Sequence, residues 1–259
     1  MQNNVIALGS RLRKCKNVIT VGVFPNLSDY PQEISFLIKS ASKIYYPTSL
    51  YGELFNTMGK NIFPSYSNYA YAQDKIKQTA LFELLDIPHP RTKIFYGTKQ
   101  KKKITDYFEF PFIAKIARGS AKGAGVFLIK NYDDLYIYLS KTHVAYIQEY
   151  LPINRDIRVL IIGEKIICSY WRIAQNNEFR TNVSLGGKIS FDPIPQSVNE
   201  LALYTAKKTN WNDVGIDICI YKDKAYVIEA NMKYGHEGLK KLGIDYINLM
   251  DSLIKNGEI

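Results

Sequence analysis

Apolar residues follow two rhythms along the chain. VITVGVF (18–24) and KIYYP (43–47) are short continuous runs rich in β-branched and aromatic residues, as buried strands are, and each is followed by a breaker. ISFLI (34–38) between them suits a short helix, whereas residues 51–66, with Gly52, Gly59 and Pro64, are expected to be irregular. Over 69–85 the rhythm changes. Ile76, Ala80 and Leu84, with Leu81 and Leu85 beside them, recur near the helical period and predict an amphipathic helix, stopped by Pro88 and Pro90. Strand patterns then recur at 91–96, 110–117, 125–129, 146–150, 157–162 and 165–174, with a short helix over 133–140. A helix near 197–209, a pair of strands at 214–221 and 225–231, and a terminal helix within 239–254 complete the reading. This order is α+β. It divides into a small α/β unit over 1–66, a middle unit over 67–145 and a last unit over 146–259.

The informative positions are those where polar residues interrupt apolar runs. Lys115 lies inside PFIAKIA (111–117); a lysine facing a sheet interior needs an anion or a path to water. The next segment, RGSAKGAG (118–125), has three glycines between two strands. It suits a plain hairpin or a loop whose N–H groups approach phosphate, and it matches neither a dinucleotide fingerprint nor a P-loop. Asp156 and Arg158 alternate on one strand and could pair with each other or orient a phosphate. Arg172, Arg180 and Asn182 add donors suited to planar or tetrahedral anions.

Asp217 interrupts VGIDICI and Glu229 interrupts YVIEAN. A three-residue loop at 222–224 would set Tyr221 opposite Ala225 and Asp217 opposite Glu229, with Asn231 on the same face; a two-residue turn would offset the carboxylates. Facing carboxylates repel unless a cation joins them, and an all-oxygen donor set favours Mg²⁺ or Mn²⁺ over Zn²⁺.

Composition narrows the classes. Apolar residues make up 46% of the 259 residues, enough for a full core. No apolar run approaches membrane-spanning length, and the N-terminus has the wrong order for a secretory signal. Cys15, Cys168 and Cys219 share no ligand spacing, so a reducing, cytoplasmic setting is expected. The net charge of +10 belongs to the first half, where residues 1–130 hold 19 Lys/Arg against 8 Asp/Glu. Such a surface suits an anionic partner, but lysine outnumbers arginine 26 to 8, which disfavours specific nucleic-acid reading.

Six segments in order carry a more specific signal: AQDKIKQTALFELLDIPHPRT (72–92), PFIAKIARGSAKGAGVFLI (111–129), YIQEYLPINRDIRVLIIGEKIICSYWRI (146–173), FRTNVSLGGK (179–188), GIDICI (215–220) and VIEANMKYGHEGL (227–239). Together they resemble the ATP-grasp superfamily, and more closely its RimK-like carboxylate–amine ligases, over residues 67–245. The resemblance implies two α/β subdomains that clamp ATP, preceded by a reduced N-terminal α/β domain. It implies that Lys75 and Lys115 bind nucleotide phosphates under a flap containing Gly119, Ser120, Gly123 and Gly125. Gln148, Glu149, Tyr150 and Leu151 would form the adenine linker, with Asp156 near the ribose. Arg158, Arg172, Arg180 and Asn182 would surround the transferred phosphate, and Asp217, Glu229 and Asn231 would hold two Mg²⁺ or Mn²⁺ ions.

The implied reaction joins a small-molecule or peptide carboxylate to an amine or amino acid through an acylphosphate, releasing ADP and phosphate. An acidic protein or peptide acceptor, a homo-oligomer and no membrane partner fit this reading. A phosphotransferase or other acylphosphate-forming enzyme, and a non-catalytic nucleotide or nucleic-acid binding module, are the alternatives. Three features depart from the family pattern: the short front region, the added charges Arg118 and Lys122 in the flap, and MKYGHEGL without the usual proline after Asn231.

Overall fold

The computed structural model describes residues 5–119, 125–175, 180–181 and 186–259. Three sheets organise them. The first is parallel, in the order β2-β1-β3-β4, from β1 (Val5–Ala7), β2 (Val18–Thr20), β3 (Lys43–Tyr45) and β4 (Asn61–Phe63). Helix α1 (Gln32–Ser40) connects β2 to β3, and α2 (Thr48–Thr57) connects β3 to β4.

The region expected to be irregular is therefore mostly ordered, because Gly52 does not break the chain there. Gly52 lies inside α2, where an added Cβ would stand 3.2 Å from the Tyr69 ring. It is a close-packing position and ends nothing. Tyr51 and Phe55, one turn apart on α2, bury into the small core with Leu8, Tyr30, Ile38 and Ile44.

The single helix expected over 69–85 is two: α3 (Tyr66–Ala70) and α4 (Lys75–Leu84). Gln73 takes a positive φ of 57°, and Asp74 caps the new helix by accepting the Lys77 N–H at 3.1 Å. The cap makes Lys75 the first residue of α4, a fixed position at the edge of the cleft described below.

The second sheet is antiparallel, β5-β8-β6-β7, from β5 (Thr92–Tyr96), β6 (Phe112–Lys115), β7 (Val126–Ile129) and β8 (Val144–Glu149). Between β5 and β6 run α5 (Gly97–Lys101), which takes up the start of the lysine run, and α6 (Ile104–Tyr107). Helix α7 (Tyr132–Ser140) covers one face of this sheet through Leu135 and Tyr138.

The third sheet, β11-β10-β9-β12-β13, is also antiparallel. It comprises β9 (Arg155–Ile162), β10 (Lys165–Ile173), β11 (Lys188–Ser190), β12 (Asp213–Tyr221) and β13 (Lys224–Asn231). Ile157, Ile218 and Val227 point to one face of it. There they bury Val198 and Ala202 of α8 (Gln196–Thr209), together with Phe82 of α4. The alternate positions Asp156, Arg158 and Asp217 are thereby sent to the other face. The expected terminal helix is divided into α9 (Glu237–Lys241) and α10 (Tyr246–Lys255), with Gly243 at a φ of 70° and Asp245 capping α10. Strands β1, β4 and β11, three residues each, have no counterpart among the expected strands. Among the described residues no helix is long and apolar enough to cross a membrane.

Candidate active site

The polar face of the third sheet and the second sheet bound an open cleft. Its C-terminal wall is an ordered set of charges. Asp217 stands opposite Arg158 on β9 and opposite Glu229 on β13, and Arg172 of β10 stands opposite Asp156. The carboxylate register matches the sequence expectation but is reached differently. The β12–β13 turn has two residues, Lys222 and Asp223, both at positive φ, so Tyr221 faces Lys224. That turn alone would offset Asp217 from Glu229. A bulge at Ile228 restores the pairing.

The bulge is held from outside the sheet. β13 is an edge strand, yet Val227 N–H donates to the Pro88 carbonyl at 2.8 Å. Gln78 of α4 supplies the other contact. Its amide donates to the Ala230 carbonyl at 2.9 Å and accepts the Ala230 N–H at 3.1 Å. This buried side chain thus does for Ala230 what a neighbouring strand would do, fixing the residue between Glu229 and Asn231.

Asp156 and Arg158 do not pair with each other. Asp156 accepts two bonds from Arg172, at 2.7 and 2.6 Å, and a third from the Thr181 hydroxyl at 2.6 Å. Arg158 grips Asp217 through Nε and through Nη2, the latter at 2.8 Å, and Arg172 adds a third contact to Asp217 at 2.9 Å. Burial alone would raise the Asp217 carboxyl, but the two guanidinium groups outweigh it and hold it below the usual carboxylate range. Asn231 joins the two acids, its Nδ2 lying 3.1 Å from Asp217 Oδ2 and 3.2 Å from Glu229 Oε1.

The opposite wall carries the lysines. Lys75 lies 3.7 Å from Glu229. Lys115 is buried on β6, and burial pulls its ammonium down to about 8, against the attraction of Glu229 and with the repulsion of Lys75. Gln148, Glu149, Tyr150 and Leu151 line the cleft where the chain leaves β8, beside the apolar Ile113, Val126 and Ile153. The Glu149 carboxylate accepts the Arg91 N–H at 2.6 Å, and the Gln148 amide donates to Thr92 at 2.9 Å. Arg180 and Gly125 also line the space.

Gly119 stands apart at the loop base, where its N–H donates to the Gln73 carbonyl at 3.3 Å. Arg118 is exposed and bound to Asp74 at 2.8 Å, so its charge is spent on the cap of α4. Ser120, Lys122, Gly123 and Asn182 lie outside the described residues. Sequence reading missed Gln78, Thr181 and Cys219. The last shares the parity of Asp217 on β12 and so belongs to the cleft face, where burial pushes its thiol up to about 12.

Four cations (Lys75, Lys115, Arg172, Arg180) and four carboxylates (Glu149, Asp156, Asp217, Glu229) line the cleft among the described residues, so it is formally near neutral. A triphosphate entering it needs further positive charge. Asp217 and Glu229 meet around the Asn231 side chain, whose amide nitrogen faces both acids; turned to present its oxygen, that amide would complete with them a hard-oxygen set of the kind Mg²⁺ or Mn²⁺ takes.

The profile of the RimK-like ATP-grasp domain matches residues 72–254. The chain belongs to this family. Among curated proteins it is 30% identical over 181 residues to the coenzyme gamma-F420-2:alpha-L-glutamate ligase of Methanocaldococcus jannaschii, a match covering 66% of this chain and 62% of that protein. The matched stretch is thus under two thirds of that relative's length. Two solved structures share the fold. A RimK domain ATP-grasp protein from Sphaerobacter thermophilus superposes with a TM-score of 0.70 at 14% identity, covering 96% of this chain and 98% of that one. The ATP-grasp ligase PsnB, complexed with a phosphomimetic variant of minimal precursor, Mg and ADP, gives 0.72 at 16% identity and 99% of each chain. The fold is therefore the α+β ATP-grasp fold, with the charged cleft between its second and third sheets.

Proposed function

We propose that the protein is an ATP-dependent carboxylate–amine ligase. The observation that carries the reading is the convergence of Lys75, Lys115, Asp217, Glu229 and Asn231 on one cleft whose far end is apolar. The adenine fits between Ile113, Val126, Leu151 and Ile153, with Gln148–Leu151 backbone groups at its edge. Lys75 and Lys115 take phosphate oxygens. Asp217, Glu229 and Asn231 would hold Mg²⁺ or Mn²⁺, which when bound neutralises charge on the phosphates. Arg158 and Arg172 keep Asp217 ionised and aimed, and Arg180 lines the same space.

The substrate carboxylate oxygen attacks the γ-phosphorus, and the bond to the β-phosphate oxygen breaks, releasing ADP. An amine nitrogen then attacks the acyl carbon, phosphate leaves with the bonding pair, and the nitrogen gives up a proton. No protein nucleophile is needed. His89, His143 and His236 are absent from the cleft lining, and the buried thiol of Cys219 is held protonated. The buried free cysteines suit a reducing cytoplasm.

The test is ADP release from Mg²⁺-ATP across a panel of amino acids and acidic peptides, with mass spectrometry of products. Ligation gives ADP, phosphate and a product lighter by one water than its two substrates. ADP with a stable phosphorylated product would replace this reading with phosphotransfer.

A further inference from the structure

Arg11 lies outside the matched residues 72–254, on the loop that follows β1. Open parallel sheets bind ligands off the carboxyl ends of their strands. In the first sheet those ends carry Gly9–Arg11 after β1 and residues 46–48 after β3. Tyr46 and Thr48 hold positive φ values of 45° and 68°, a backbone region that such side chains rarely adopt and that gathers at functional sites.

The Arg11 guanidinium is partly exposed and walled by three rings, Tyr46, Tyr234 and Tyr246, at 5.4, 4.9 and 5.3 Å. Its Nε donates to the Tyr246 hydroxyl at 2.7 Å, and Nη2 lies 3.5 Å from His236 Nε2. Among the described residues no carboxylate stands within ion-pair distance of it. Asp213 is the nearby acid, but its oxygens are taken by phenols: Tyr46 donates to one at 2.9 Å and Tyr234 to the other. Tyr46 and Tyr246 are 3.2 Å apart, so Arg11 reaches Asp213 through two hydroxyls in series. This relay fixes one edge of the guanidinium and leaves the remaining N–H donors beside His236. Lys240 and Glu237 act on His236 with opposite signs, and Arg11 is the larger cationic influence on it.

The cage shares a wall with the cleft. A Cβ at Gly215 would stand 2.9 Å from Arg158 Cδ and 3.2 Å from Tyr234 Cβ, so Arg158 and Tyr234 meet over Gly215. The segment from Asn231 to His236 also joins the two places, and its length keeps them within about 18 Å.

We propose that Arg11 and His236 form a subsite for a free carboxylate of the substrate, remote from the reacting groups. The inference rests on the ligase reading. It adds that the substrate is an amino acid or short peptide whose second carboxylate reaches out of the cleft to the front sheet.

The experiment compares wild type with Arg11→Gln, Arg11→Lys and Tyr246→Phe. Each compound that triggers ADP release is paired with its carboxamide analogue. In wild type the carboxamide should lose about 10- to 100-fold in kcat/KM, the worth of a charge-assisted contact. R11Q should handle acid and amide alike at the lower rate, with KM for ATP unchanged; R11K and Y246F should recover part of the discrimination. Discrimination that survives in R11Q, or is missing in wild type, overturns the subsite. If nothing triggers ADP release, glutarate binding to the ADP-loaded proteins decides by calorimetry. Binding by wild type that is lost in R11Q upholds the subsite while the ligase reading falls; equal or absent binding overturns the subsite. Should R11Q fail to fold, R11K and Y246F carry the comparison.

Discussion

Asp213 and Asp217 lie four residues apart on one face of β12, both buried, and they are held in opposite ways. Asp217 is gripped by two guanidinium groups and kept ionised below its ordinary value of 3.8. Asp213 is satisfied by phenols, and burial pushes its carboxyl above that value despite Arg11 and the two hydroxyls. The partner chemistry divides the strand by function. Guanidinium partners give a fixed charge that faces a cleft, aligned with Glu229 and Asn231. Phenol partners give a dispersed charge at the seam where the first and third sheets share a core through Tyr46, Phe63, Leu160 and Tyr234.

The largest expected effect breaks this contrast at Asp217. D217N leaves the half-buried Arg158 without its ionised partner and should cost about 3–5 kcal/mol in denaturant unfolding while abolishing ADP release. D213N keeps an acceptor for one phenol and should cost about 1–2 kcal/mol, with nucleotide binding by the folded protein intact. Acid titration separates the two further. Asp217 has a depressed folded pKa, so the stability it adds is full above 3.8 and lost as pH falls through its folded value. Asp213 has a raised one, so its contribution is present at low pH and lost as pH rises through its folded value. The wild-type advantage over D217N should therefore grow with pH near 4, and the advantage over D213N should shrink.

Glu229→Gln removes charge from the cleft with less loss of burial, since Glu229 is only partly buried. ADP release should fall about 100- to 1,000-fold with little change in melting temperature. Gln78→Met keeps volume and deletes the strand-like bonds to Ala230. It should weaken Mn²⁺ binding to the ADP-loaded protein about tenfold, measured by electron paramagnetic resonance. Phe82→Leu, a packing change on the same helix, should lower stability and leave Mn²⁺ affinity alone. The smallest effect concerns Lys115. Its ammonium, near 8 when nucleotide is absent, is lost as pH rises above that value, so ATP affinity should fall there. Nucleotide phosphates restore the proton, and calorimetry near pH 8.5 in buffers of different ionisation enthalpy should record proton uptake. The same depressed pKa means that the nucleotide-free protein gains stability as pH rises from about 8 to 10.5, the sign opposite to a stabilised lysine.

Residues at strand spacing were legible because apolar alternation fixes which side chains turn inward. That is why Lys115, Asp217 and Glu229 each stand out as a polar residue interrupting an apolar strand. Turn length was not fixed by the pattern. The two-residue turn and the Ile228 bulge offset one another, and the bulge depends on Pro88 and Gln78, partners distant in sequence. The cap at Asp74 was readable by residue type but was hidden by a helical apolar stripe that continues through it. Gly52 misled in the other direction, since tight packing and a chain break both call for glycine. The pairing of Arg158 with Asp217, in place of Asp156, follows from β9 lying between β10 and β12, a neighbour order that alternation cannot supply.

The central claim is that this cleft makes an acylphosphate. The direct measurement supplies Mg²⁺-ATP and the carboxylate identified by the ADP-release panel, replaces the amine with hydroxylamine, and looks for the hydroxamate by mass spectrometry. Wild type should yield hydroxamate in step with ADP, and E229Q should yield both about 100- to 1,000-fold more slowly. ADP released without hydroxamate, or hydroxamate formed by E229Q at the wild-type rate, would contradict the account.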